Sequence, residues 1–306
     1  MPCCPHRIFP CLCYVGLAAT LALTSARAEN PTTDKSAYTL FDPTPIDLRR
    51  AYNTDRPSKT DSPYTIDAGV VQIEMDIANW MLDEYNVDRT DVRVYTLLLA
   101  QTNFKLGLTN WMDLQIFPQG YVERRTSGRD LRASQTIRGF GDTTVRLKIN
   151  LIGNDDGKLA IGLISSLKIP TNTNHLGNNL YEPGFGLPFN YALPGGFIFF
   201  GQTRIDILDE PHSGNRRVQR SNPIGVSRAI VRNLSGYLEF YDAVSTGRNH
   251  PWTGTLDTGL IYQVTPNFSV DVNSFFWADA QRGRRECLRR IRTPILTNAA
   301  SQNDTN

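Results

Sequence analysis

Val145-Arg146-Leu147-Lys148-Ile149-Asn150-Leu151 alternates without a break between apolar and polar side chains. Successive side chains of a β-strand point to opposite faces, so one face of this segment is aliphatic and the other carries two cations and an amide. The same period of two extends in both directions. Val71, Ile73, Met75 and Ile77 alternate with Gln72, Glu74 and Asp76. Leu98 to Leu108 runs against Gln101, Asn103, Lys105 and Gly107, and Met112, Leu114 and Ile116 run against Asp113 and Gln115. Leu159 to Ile169 opposes Gly162, Ser166 and Lys168, and Leu187 to Leu193 forms a further apolar face. Phe197 to Ile207 opposes Gln202, Arg204 and Asp206. Weaker segments cover 222–232 and 236–244, and Leu256 to Tyr262 and Phe268 to Val272 alternate with Asp257, Gln263, Asp271 and Asn273. About eleven strands of roughly ten residues result, the length that a tilted strand needs to cross a bilayer.

The links between them alternate in length. Tight turns are expected at 108–110, 153–157, 194–196, 233–235 and 265–267, and longer polar loops near 82–92, 123–138, 171–184, 209–220 and 246–251. Short turns at one end and long loops at the other predict an all-β fold, an antiparallel transmembrane β-barrel of about 12 strands. A soluble β-sandwich also alternates. Charge on the second face of most strands, and strands longer than the usual globular length, weigh against it.

The ends of the chain carry different information. Arg7, an apolar run from Tyr14 to Thr24 and the closing Ala26-Arg27-Ala28 read as a secretory signal peptide over 1–28. Four of the five cysteines lie within it, which leaves Cys287 and neither a disulfide framework nor a cysteine metal site. Residues 29–62 are rich in Pro, Asp and Thr and read as an irregular periplasmic lead-in, followed by the barrel over 63–276. A net charge of +2 gives no electrostatic footprint for nucleic acid. The expected location is the outer membrane of a Gram-negative-type bacterium, and the expected partners are its lipid and small-molecule solutes.

The last strand is missing. Single-chain barrels usually close with an even strand number, yet alternation stops after Phe276 and 277–306 is basic, then polar. Permitted codons for Trp277 to Arg292, read one base later, give GLTRSAEDVNAFAGFA, then R-R-F and a stop. The tail is therefore expected to arise from a frameshift that disrupts a final strand.

Several stretches resemble one family. Thr54-Asp55-Arg56-Pro57 through Ser62-Pro63-Tyr64 to Gly69-Val70-Val71-Gln72-Ile73-Glu74 looks like the opening motif of the transporter-like family labelled "putative meta-pathway of phenol degradation". Gly139-Phe140-Gly141-Asp142-Thr143, Leu167-Lys168-Ile169-Pro170-Thr171, Leu234 to Phe240 and Asp257 to Gln263 are similar in style, as is the out-of-frame ending. The resemblance covers about 54 to 276. It implies an outer-membrane barrel for uptake or export of hydrophobic, often aromatic, compounds, and brings no catalytic residues.

No enzyme is expected. His175, His212 and His250 fall in predicted loops, and neither glycine-rich stretch, at 139–141 or 184–186, opens a helix. Glu74 and Asp76 share a strand face, but lining polar space explains them better than acid–base work. No cofactor is expected. The pore-lining candidates are Glu74, Asp76, Lys105, Asp113, Arg146, Lys148, Lys168, Arg204 and Asp206, whose opposite charges should bridge across a constricted pore. Trp80, Trp111, Tyr121, Tyr191, Tyr237, Trp252 and Tyr262 suit aromatic girdles. The expected function is a channel for small, hydrophobic or aromatic molecules; a non-transporting structural or surface-interaction barrel is the alternative. The frameshift has a direct test in the gene of a close relative. It should read the alternative peptide after residue 276, and an in-frame Trp277-to-Asn306 tail would refute the shift.

Overall fold

The computed structural model describes residues 34–51, 53–83, 92–128, 134–155, 157–209, 215–246 and 252–278. The segment 1–28 expected as a signal peptide, the 277–306 tail beyond Ala278, His212 and His250 lie outside them. Residues from Asp34 onward belong to one compact unit.

The alternating segments become fourteen antiparallel strands in one sheet: β1 Val71–Asp83, β2 Val92–Thr109, β3 Met112–Pro118, β4 Tyr121–Gly128, β5 Gln135–Phe140, β6 Thr143–Ile152, β7 Leu159–Ile169, β8 Glu182–Ala192, β9 Phe197–Asp209, β10 Arg216–Ser221, β11 Ile224–Val231, β12 Leu234–Ser245, β13 Thr253–Thr265 and β14 Phe268–Ala278. Among the described residues there is no helix long and apolar enough to cross a membrane.

Fourteen strands make eleven staves. β2 pairs β1 on one edge and both β3 and β4 on the other, while β6 pairs β3 and β5 pairs β4. Thus β3–β4 and β5–β6 are each one stave with a break. β10–β11 is a third, since both halves pair β9 and β12. Pro223 sits in that last break, where a residue without an N–H interrupts the ladder. The other irregularities line up across three staves. Ala100 adopts φ +55°, the β3–β4 break falls at Gln119-Gly120, and Gln119 and Gly141 exchange contacts across the next break. A Cβ on Gly120 would stand 2.3 Å from the Leu99 carbonyl, so only glycine lets these staves cross so closely.

The segments at 123–128, 135–138 and 216–220, expected as loops, are strand instead. Their polar composition hid them: Glu123, Arg124, Arg125, Arg216 and Arg217 read as loop, but cross-strand pairing holds them in the ladder. Residues 63–70 continue the irregular lead-in, and β1 begins at Val71. β14 runs on to Ala278.

The sheet is inside out by the standard of a soluble protein. Lys148 and Glu239 are 0 % exposed and Asp76, Asp113 and Asp257 are 1 % exposed, whereas Ile77 is 74 % and Ile73 59 % exposed. Water-soluble folds bury the aliphatic face and leave charges outside.

It is also rolled. Eleven staves laid flat would separate β1 from β14 by roughly 48 Å at about 4.8 Å per step. Yet the Arg56 guanidinium bonds Asp76 on β1 and Asp271 on β14 together. Consecutive staves are antiparallel, so the first and eleventh run the same way. Among the described residues β1 pairs only with β2 and β14 only with β13. Among the described residues no backbone ladder joins the two edges of the roll.

Residues 54–70 fill its interior, whereas most of 34–51 is exposed, Phe41 at 93 % and Ile46 at 81 %. The lead-in backbone passes so close to the wall that a Cβ on Gly162 would stand 3.0 Å from Pro63, and one on Gly107 1.9 Å from the Asp67 carbonyl. Replacing Gly162 with Leu should therefore push the lead-in off the wall at a cost of about 1–3 kcal/mol. Limited proteolysis should then cut within 53–66 faster, with circular dichroism unchanged; an unchanged cleavage rate would mean that the close approach is not enforced.

Candidate functional site

The inner face is the densest collection of chemistry in the protein, and it is organised around the lead-in. Asp55 takes two cations: Lys105 Nζ lies 2.5 Å from its carboxylate, and Lys148 pairs with it as well. Its backbone N–H donates to Glu74 Oε1 at 3.1 Å, and Glu74 in turn holds Lys105 at 2.5 Å. Arg56 pairs with Asp76 and, through Nε and Nη2, with both oxygens of Asp271 at 3.2 Å. The Pro57 carbonyl accepts from the Tyr237 hydroxyl and from Asn273 Nδ2, each at 3.2 Å.

Glu239 of β12 faces the next residues. It accepts the Lys59 and Thr60 backbone N–H groups at 2.8 and 2.9 Å and the Thr60 hydroxyl at 2.6 Å. Lys59 Nζ reaches Thr255 at 2.6 Å and Asp257 at 3.2 Å, between the rings of Tyr241 and Phe275. Asp61 pairs with Arg146 at 2.9 Å and exchanges hydrogen bonds with Gln202. Further along, Asn150 donates to the Pro63 carbonyl and the Ile66 N–H donates to Asp113. Lys35, Arg50, Asp67 and Asp155 form an ion-pair network toward the short-turn end.

All nine pore-lining candidates face this interior, eight of them buried and Arg146 half-buried. Their partners differ from expectation. Asp76, Arg146 and Lys148 pair with the lead-in, and Asp113 accepts one of its backbone N–H groups. Lys105 and Glu74 pair with each other and also reach the lead-in at Asp55, while Lys168 pairs with Glu182 at 2.6 Å and Asp142 at 3.4 Å, and Arg204 with Asp206 at 2.7 Å. Charges do not bridge across open space, because the lead-in occupies it. Sequence reasoning missed Asp55, Arg56, Lys59 and Asp61, since an irregular polar stretch has no period that reveals what it docks against. It also missed Glu239, whose strand alternates weakly. Tyr237, expected in an aromatic girdle, is buried inside, while Trp111 and Tyr262 are about half exposed on the outside.

The interior also holds one small cavity and one apolar cluster. A cavity of about 30 Å³ lies between the lead-in and the wall at Asn103, Phe117 and Arg146, room for one or two waters. Asn103 Oδ1 and Arg146 Nε have no protein hydrogen-bond partner. Beyond the line of bends, on the long-loop side, Leu98, Val122 and Leu176 are buried together against Met81 and Ile137. Leu176 comes from the loop between β7 and β8, where Asn174 and His175 both hold positive φ and Thr173 hydrogen-bonds Phe140. His175, the one histidine among the described residues, lies in that loop as expected. Among the described residues no group of three or more His, Cys, Asp or Glu could hold a metal ion.

The family described as "Putative MetA-pathway of phenol degradation" matches residues 54–286. The chain belongs to this family. The match opens at Thr54-Asp55-Arg56-Pro57, so the family's first matched residues here are those that enter the rolled sheet and pair with its wall. A search of curated proteins finds no match.

Burial raises the Asp55 carboxyl, but Lys105 and Lys148 outweigh it and hold the group well below the usual carboxylate range. The unfolded value is about 3.9. A lowered folded value means stability that is present in full above pH ~3.9 and lost as pH falls from there through the folded value. Asp55→Asn leaves two buried lysines without their shared anion and should cost about 3–5 kcal/mol at pH 7. The wild-type advantage in denaturant titrations should shrink as the pH drops below about 4; a gap that stays constant down to pH 2 would count against the pairing.

Proposed function

We propose that the protein is an outer-membrane β-barrel that passes small, uncharged, apolar or aromatic solutes and rests in a plugged state. One observation carries this reading: a rolled sheet with an aliphatic outer face, a charged inner face and its own lead-in docked inside. An aliphatic outer belt is stable against lipid tails and unfavourable against water. Every stave but the two edge ones is paired on both sides, so most backbone groups are satisfied within the sheet, as a bilayer requires. The signal-peptide reading of 1–28 supports export to the outer membrane. The family description supports an aromatic solute class, as does the apolar cluster of Leu98, Val122 and Leu176 at the long-loop end. Passage then requires the lead-in and Leu176 to move.

The plugged interior also favours the second reading, a barrel that transports nothing and serves the membrane or its surface. Solute flux separates the two. Purified protein reconstituted in liposomes should release a trapped small aromatic solute faster than empty liposomes. Flux equal to that of empty liposomes, from protein with heat-modifiable gel mobility, would favour the structural barrel. Protein that stays soluble in the periplasm and shows no heat-modifiable form would remove both readings and leave a soluble sandwich.

The outer face gives an independent check. Ile205 lies on β9 and points outward. Arg there should lower folding into bilayers by up to about 2–4 kcal/mol if the site lies near the membrane midplane. Unchanged insertion would argue against a lipid-facing surface.

A further inference from the structure

We propose that Asp55-Arg56-Pro57 is a latch, with Arg56 as the clasp that holds the two edge staves together and the lead-in between them. This rests on the membrane-barrel reading and adds how the plugged state is kept.

The first and last staves have no hydrogen bonds to each other among the described residues, and they run in the same direction. Something other than a backbone ladder has to keep the roll from opening there. Arg56 does so from the inside. Its planar guanidinium offers donors on separate edges, which suits it to two carboxylates at once. One edge meets Asp76 on β1; Nε and Nη2 meet Asp271 on β14. Neither aspartate could remain charged at this burial without a partner. The residues on either side extend the grip. Asp55 gathers Lys105 of β2 and Lys148 of β6, and the Pro57 carbonyl takes Tyr237 of β12 and Asn273 of β14. Three consecutive residues therefore tie five staves, and both edges, to one point of the lead-in. Releasing them frees the plug and loosens the seam in one event.

The test is planar-bilayer conductance of the full chain carrying Arg56→Ala or Arg56→Lys, beside wild type and Arg49→Ala, a lead-in control at an exposed residue whose Nε donates to the Thr44 carbonyl within the lead-in. Heat-modifiable gel mobility reports the barrel and conductance reports the latch, so the two readings fail separately. Arg56→Ala should keep the heat-modifiable form, raise mean conductance several-fold and speed protease cleavage of the lead-in, while Arg49→Ala stays close to wild type in conductance. Arg56→Lys keeps the charge but offers one compact ammonium for two carboxylates, and should fall between wild type and Arg56→Ala. If Arg56→Ala does not fold, Arg56→Lys decides. Wild-type conductance in a folded Arg56 variant overturns the latch, and so does an equal rise in Arg49→Ala.

Discussion

Charged side chains removed from water need partners, and this constraint organises the whole interior. Asp76, Asp113, Lys148, Glu239 and Asp257 are nearly or fully inaccessible, and an unpaired charge at such positions would be very unfavourable. The strands alone cannot neutralise them. Lys105 has Glu74 and Arg204 has Asp206, but Lys148 and Arg146 depend on Asp55 and Asp61 of the lead-in. The lead-in and the sheet therefore complete each other: neither has its charges satisfied without the other. Much of this pairing serves compatibility rather than net stability, because desolvation offsets most of the Coulomb attraction.

That mutual dependence bears on function. An interior filled by paired charges is closed, yet its contacts are polar and can be exchanged for water one at a time. An apolar core of equal size would resist hydration altogether. The two ends differ in character, ionic toward the short turns and aliphatic around Leu176 toward the long loops. A small apolar molecule arriving from the loop side would find apolar contact at Leu98 and Val122.

The outer and inner faces were legible in the sequence residue by residue. Val145, Leu147 and Ile149 against Arg146 and Lys148 need only the two-residue period of a strand. Strand detection failed where both faces are polar. The outer face carries Glu123 and Arg125 in β4 and Arg216 and Arg220 in β10, so alternation leaves no trace, and pairing with β2 or with β9 and β12 decides the matter. The breaks at Gln119-Gly120, Gly141-Asp142 and Asn222-Pro223 carried Gly or Pro as signals, but a break within a stave reads like a turn between two strands.

The sequence by itself determined that the chain is all-β, which side chains share a face, and which face is ionic, because strand periodicity is a local property of the backbone. It also carried the family in the Thr54-Asp55-Arg56-Pro57 motif. Only the tertiary structure decided what that motif does. The Asp55 to Lys148 pairing spans 93 residues and the Arg56 to Asp271 pairing 215, and irregular backbone has no period from which such partners can be inferred. They meet because the sheet rolls, and where the roll brings β1 and β14 together is set by all eleven staves at once.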